Sequence, residues 1–153
     1  GGNMDVKTPS IRRYRACEVM LQEAGVDCIN ACLEQEFNRQ TYQVEIERLL
    51  RQYPQADGLF STDLIALNAM KLLNTHGVNV PDAFSIVGYD GVEISSLCTP
   101  ALTHVRQPLQ QLADVCVQTL VRKMQGESLT KNVILEDVEL VRGGTTRPMA
   151  DPV

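Results

Sequence analysis

The chain has 153 residues, 44% of them hydrophobic and 22% charged, with a formal net charge of −5. That is the composition of a globular domain large enough to bury a core, not of a disordered segment. The acidic balance argues against this segment gripping a phosphate backbone, which needs a basic face. No apolar run approaches the roughly 20 residues of a membrane span. A charged stretch leading into an apolar run is also missing, so no secretory signal is expected.

In chain order, "GGNMDVKTPS" (1–10) has the composition of a loop that follows a strand, and that strand is expected to be missing from the sequence. Thr8-Pro9 opens a first helix, where proline's missing N–H costs nothing. Ile11, Tyr14, Cys17, Leu21 and Ala24 recur at helical spacing before Gly25 closes it. "DCINACL" (27–33) predicts a short buried strand. A second helix is expected from about Gln40 to Tyr53, stopped by Pro54, with Val44, Leu49 and Leu50 inward. "ADGLFS" (56–61) predicts a strand and "TDLIALNAMKLLNTHG" (62–77) a helix, with Thr62 or Asp63 able to cap it.

"FSIVGYD" (84–90) and "LTHV" (102–105) follow as strands. A long helix is expected from Pro108 to Gly126, with an apolar stripe of Leu109, Leu112, Cys116, Leu120 and Met124. "NVILEDVELVRG" (132–143) predicts two strand segments around an acidic turn. Strands separated by helices of this length imply βαβ units and a parallel sheet.

Five cysteines, Cys17, Cys28, Cys32, Cys98 and Cys116, include no CxxC pair, and no histidine lies near Cys28 and Cys32 to complete a zinc set. Free thiols in a reducing cytosol are the ordinary expectation. Enzyme signatures such as GxSxG, a Walker loop, GxGxxG or HExxH do not occur. The two histidines, His76 and His104, are expected to be structural or exposed.

Open parallel sheets bind ligands beyond the carboxyl ends of their strands. That rule selects Ser61, Thr62 and Asp63 after one strand, Asp90 after another, Glu34 to Phe37 after a third, and the loop of residues 1–10. Arg12, Arg13 and Arg15 stand near a helix start. Carboxylate, arginine and an aromatic face suit a polyhydroxylated ligand, because charged groups pair with vicinal hydroxyls and a ring covers C–H surface. Each residue also has a plainer explanation. Asp63 fits a first-turn carboxylate favoured by the helix dipole, Asp90 a turn before Gly91, the arginines a solvated face, and Phe37 a core position.

Three stretches together resemble the LacI/GalR repressor family. "ADGLFSTDLIALNAMKLLNTHGVNVPDAFSIVGYDGVEISSLCTPALTHVRQP" (56–108) is similar to that family's polar–Asp pair, "G-x-x-V-P" turn, "S-V-V-G-[FY]-D" and "P-x-L-T-T-[VI]-x-Q-P". "RYRACEVMLQEAG" (13–25) and "KNVILEDVELVRGGTT" (131–146) resemble its flanking motifs. The resemblance implies two Rossmann-like lobes around an effector cleft, as in periplasmic sugar-binding proteins, with mainly the C-terminal lobe present here. Residues 1–104 would form that lobe without its first strand. Residues 105–136 would supply a crossover helix and strand to the N-terminal lobe, and 137–153 a return strand and tail.

Carried over by position, the resemblance assigns effector binding to Arg13, Phe37, Thr62, Asp90, Gln107 and Leu109. It places a homodimer contact on helix 64–75 and near Ser96–Thr99, through Leu64, Leu67 and Cys98. Thr62 stands where many members carry asparagine, Ala16 and Asn68 replace usual glycines, and His104 replaces a threonine. No metal, cofactor or membrane is implied. The partners would be a small sugar and, through a helix-turn-helix head outside this sequence, operator DNA. A periplasmic sugar-binding protein of the same fold is the alternative, disfavoured by the unpaired thiols and the 56–108 motif. An α/β enzyme stands third, without a nucleophile–base set to support it. Because helix 108–126 would lack the sheet that covers its stripe, the segment is not expected to fold alone.

Overall fold

The computed structural model describes residues 9–29, 39–128 and 138–148. The chain divides after Gln52 into two units.

The described part of the first unit is helical. Helix α1 spans Pro9–Glu23 and α2 spans Arg39–Gln52. Proline at the first position of α1 gives up an N–H that has no helical acceptor anyway. At its far end the Gly25 amide donates to the Gln22 carbonyl and the Val26 amide to Leu21, closing the last turn. Ile11, Tyr14, Cys17 and Leu21 form the half-buried stripe that their spacing predicts, whereas Ala24 is exposed.

In α2 the buried side chains are Tyr42 and Ile46, one turn apart on one face. Leu49 and Leu50 are half-buried, but Val44 is exposed, against expectation. Val44 lies midway between Tyr42 and Ile46, two residues and therefore about 200° around the helix from each. The strand expected at 27–33 is absent from residues 27–29, and the rest of that segment lies outside the described residues.

The second unit carries the sheet. Its elements in order are β1 (Gly58–Phe60), α3 (Asp63–Thr75), β2 (Ser85–Asp90), the one-turn helix α4 (Ile94–Leu97), β3 (Thr103–Arg106), α5 (Leu109–Met124) and β4 (Glu139–Val141). The strands stand in the order β1-β2-β3-β4, with the first two pairings parallel and the last antiparallel. Parallel pairing of β1 with β2 through α3 is the βαβ arrangement that the alternation predicts. Pairing of β2 with β3 continues through Asp90 opposite Arg106. Of the two strand segments expected at 132–143, β4 is the second; the first lies outside the described residues.

Ala66, Ala69, Met70, Leu72 and Leu73 of α3 are buried, and α3 packs across β2. Val80, Phe84, Ile86 and Leu102 complete this core. Burying a side chain the size of Leu, Ile or Phe contributes about 1.5–3 kcal/mol relative to exposure, so this group dominates the unit's stability. His104, also buried, donates from Nδ1 to the Leu102 carbonyl at 2.9 Å and serves the sheet's interior.

The tail is stitched into the opposite end of the sheet from Asp90. Thr145 is fully buried; its hydroxyl donates to the Ile86 carbonyl at 2.7 Å and accepts the Thr103 amide at 2.9 Å. One hydroxyl thereby bridges the starts of β2 and β3, which explains why a polar residue sits in the core.

Helix α5 differs from α3. None of its residues is buried, and Leu109, Leu112, Cys116, Leu120 and Met124 are all exposed, Met124 by 79%. The predicted stripe is thus present as a helical face left exposed among the described residues.

Candidate functional site

Strand β2 ends in Asp90 at the carboxyl edge of the parallel strands, where such sheets place ligands. Its backbone has φ 145°, and the next residue, Gly91, has φ 79°. A non-glycine residue with so positive a φ costs on the order of 1–3 kcal/mol and persists only where neighbours over-determine it. One such neighbour, Gln107, comes from the segment after β3 and makes two contacts. The Gln107 amide donates to the Asp90 carbonyl at 3.2 Å, and Gln107 Nε2 donates to Asp90 Oδ1 at 2.9 Å. One residue therefore holds both the backbone and the side chain of the strand-end carboxylate. At Gly91 any Cβ would meet the Arg106 backbone at 2.6 Å, so the tight turn after Asp90 requires glycine.

A second cluster lies behind this turn. Asp63, the first residue of α3, is 1% exposed. Its Oδ2 accepts the amides of Gly91 and Val92, both at 2.9 Å, and the Ser95 hydroxyl at 2.7 Å. Ser95 is fully buried, and its carbonyl accepts the Leu102 amide at the entry to β3. Gly88 leaves the space that Asp63 occupies, since a Cβ there would overlap Asp63 Oδ1 and Leu102 Cδ2.

The capping role expected of Thr62 or Asp63 is not what the structure shows. Thr62 occupies the N-cap position with an extended backbone but makes no side-chain cap bond. The Asp63 side chain instead accepts the amides of the 91–92 turn. The sequence names Asp63 but not its partners. An isolated glycine inside a buried strand, Gly88, is the signal of a close approach that would have exposed the cluster.

Of the expected effector residues, Asp90 and Gln107 are brought into direct contact. Thr62, half-buried, leaves β1 at the same edge of the sheet, one residue after the Ser61 amide donates to the Val87 carbonyl. Leu109 opens α5 half-exposed. Arg13 is half-buried on α1, in the first unit, with Arg12 and Arg15 exposed around it. Phe37 lies outside the described residues. An edge-to-face pair, Phe60 with Tyr89 at 6.2 Å between ring centres, packs beside the strand ends and was not anticipated.

Of the expected dimer residues, Leu64 is exposed, Leu67 half-buried, and Cys98 half-buried with its thiol donating to the Ser95 carbonyl. Exposed Ile94 and Leu97 of α4 add apolar surface to the Ser96–Thr99 segment. Among the described residues no helix is long and apolar enough to cross a membrane, and no three metal-ligating side chains cluster.

Comparison with known proteins agrees with this fold. Residues 2–146 match the family described as the periplasmic binding protein-like domain. The ribose operon repressor of Halalkalibacterium halodurans is 32% identical over 123 residues, covering 80% of this chain and 37% of the repressor. The crystal structure of the transcription regulator CcpA of Lactococcus lactis superposes with a TM-score of 0.78 at 26% identity, covering 90% of this chain and 51% of that one. A LacI family transcriptional regulator from an Arthrobacter species, crystallised in complex with lactose, superposes with a TM-score of 0.72 at 25% identity, covering 87% and 50%. This chain therefore spans no more than about half the length of the relatives it matches. The fold, the order of the motifs and the matched span agree: the chain belongs to the periplasmic binding protein-like domain family.

Proposed function

We propose that this chain is the larger part of the sugar-sensing half of a cytoplasmic, DNA-binding repressor. The observation that carries this reading is the Asp90 carboxylate at the carboxyl edge of the parallel sheet, held in a strained backbone conformation by Gln107. A carboxylate fixed in this way is suited to accept hydroxyl hydrogen bonds from a sugar. Arg13, Phe37, Thr62, Gln107 and Leu109 are the other proposed contacts. Sugar as the ligand class is supported by the relatives, one named for a ribose operon and one crystallised with lactose.

Residues 1–104 are assigned to the C-terminal lobe, 105–136 to a crossover that supplies α5 to the N-terminal lobe, and 137–153 to the return. The uncovered stripe of α5 supports that assignment. A sugar bridging two lobes shifts their closure equilibrium by no more than its difference in affinity for the two states. In a dimer formed through Leu64, Leu67 and Cys98, that shift changes the spacing of two DNA-binding heads and so operator affinity. The chain acts in this scheme as a sensor, without a chemical step of its own.

Calorimetry of the full-length protein against a sugar panel that includes D-ribose and lactose tests the site. Charge-assisted hydrogen bonds contribute about 1.5–3 kcal/mol, so Asp90→Ala should weaken sugar binding about ten- to a hundredfold. Unchanged affinity would remove Asp90 from the site.

A further inference from the structure

The Asp63 cluster lies behind the strand-end carboxylate and is not accounted for by ligand contact. A first-turn carboxylate that merely complements a helix dipole sits in solvent on its own helix. Asp63 instead is 1% exposed and reaches residues 28 to 32 positions further along the chain. All three donors converge on Oδ2, while among the described residues Oδ1 has no hydrogen-bond partner. Burying a carboxylate with one oxygen unsatisfied is costly, so a neutral residue would start the helix more cheaply. The three donors on the other oxygen offset that cost, and two of them are the consecutive backbone amides that follow Asp90.

We propose that Asp63 is a positioning residue for Asp90: its buried carboxylate ties down the Gly91–Ser95 turn and so holds Asp90 at the angle from which it meets the effector. The mechanical path is short. Asp90 has φ 145°, a dihedral that a free turn would relax. Gln107 grips Asp90 from the β3 side, by its amide on the Asp90 carbonyl and by Nε2 on Oδ1. Asp63 grips the next two residues from the α3 side. The far end of the turn is fixed at Ser95, whose hydroxyl binds Asp63 and whose carbonyl accepts the Leu102 amide. Gly88 belongs to the same device, because a side chain there would expel Asp63. The strained residue is thereby held from both sides before any ligand arrives, and such preorganisation lowers the cost of binding.

The inference rests on Asp90 being an effector contact, and the test separates the two. In the full-length protein, Asp63→Asn keeps the shape of the side chain and removes its charge, and Ser95→Ala removes one donor while sparing the fold. Hydrogen exchange is read at the amides of Gly91, Val92 and Gln107. Sugar affinity is read by calorimetry with D-ribose and lactose as probes, in the native background and with Asp90→Asn.

The proposal expects faster exchange at all three amides in Asp63→Asn, and at Gly91 and Val92 in Ser95→Ala. Gln107 discriminates, because its hydrogen bonds go to Asp90 and not to Asp63, so it reports whether Asp90 is held. For whichever probe binds, Asp63→Asn should weaken affinity about tenfold, and cause no further loss once Asp90 is already asparagine. Unchanged exchange at Gln107 in Asp63→Asn, or fold-losses that multiply in the double variant, would overturn the proposal. If Asp90→Asn leaves sugar affinity intact, or neither probe binds, the effector reading of Asp90 is what fails or lacks its ligand. The exchange at Gln107 then decides alone whether Asp63 positions Asp90.

Discussion

Replacing Thr145 by valine changes almost nothing in shape and removes a fully buried hydroxyl that joins the tail to the sheet. Thr145 is fully buried, and its Oγ1 both donates to the Ile86 carbonyl at 2.7 Å and accepts the Thr103 amide at 2.9 Å. Its own carbonyl accepts the Ile86 amide at 2.7 Å, a bond that valine retains. The variant leaves one donor and one acceptor in the core without this partner. Each such group costs about 1–3 kcal/mol, and the added methyl returns about 0.8 kcal/mol, for a net loss of about 1–5 kcal/mol. In the full-length protein that corresponds to a fall in Tm of about 2–20 °C for the part containing this sheet. Thr145→Ser keeps the hydroxyl and loses only a methyl, so it should cost about 1 kcal/mol. Urea unfolding followed by circular dichroism ranks the three proteins. Valine as stable as threonine, or serine less stable than valine, would refute the assignment of the stitch to its hydroxyl.

Leu64 is 58% exposed, so Leu64→Asp should disrupt the proposed dimer without touching the core, whereas half-buried Leu67 is a less clean probe. Sedimentation of the full-length protein should show a dimer that this change shifts toward monomer; a clean monomer at micromolar concentration before any substitution contradicts the interface. If α5 is covered by the other lobe, Cys116 in the full-length protein should react with a maleimide far more slowly than in urea; equal rates would leave α5 exposed and the lobe assignment without support. Burial, and then the neighbouring Cys28, raise the pKa of the Cys17 thiol. Its alkylation should therefore be slow at pH 8 and accelerate as pH rises through that raised pKa, because only the thiolate reacts. A rate already at its plateau at pH 8 would contradict that environment.

Helices with a clean stripe and strands bounded by turn residues were legible in the sequence. Helix α3, strand β2 and helix α5 stand within two residues of their expected limits. Periodicity cannot say which of several apolar residues faces inward when a stripe is broken, and so Val44 was placed inside in preference to Ile46. The one-turn helix α4 was missed, because four residues carry no period. At the candidate site, the rule that ligands gather beyond parallel strand ends pointed to Asp90, and the resemblance added Gln107, which the structure places in contact with it. The role of Asp63 was not legible, since it depends on amides 28 and 29 positions away that only the packed sheet brings near. Arg13 and Phe37 stand as expectations of resemblance rather than of observed contact.

If a sugar held at Asp90 resets the grip of the whole protein on DNA, as proposed, operator titration of the full-length protein shows it most directly. Fluorescence anisotropy with its own operator is measured with and without the sugar that binds tightest by calorimetry. The account predicts that saturating sugar changes the operator Kd by about 5- to 150-fold, the usual range of allosteric coupling. In Asp90→Ala, operator binding without sugar should survive, and the sugar-dependent shift should be reached only at about ten- to a hundredfold higher sugar concentration. An operator Kd that does not respond to saturating sugar, or a response identical in Asp90→Ala at every sugar concentration, would contradict it.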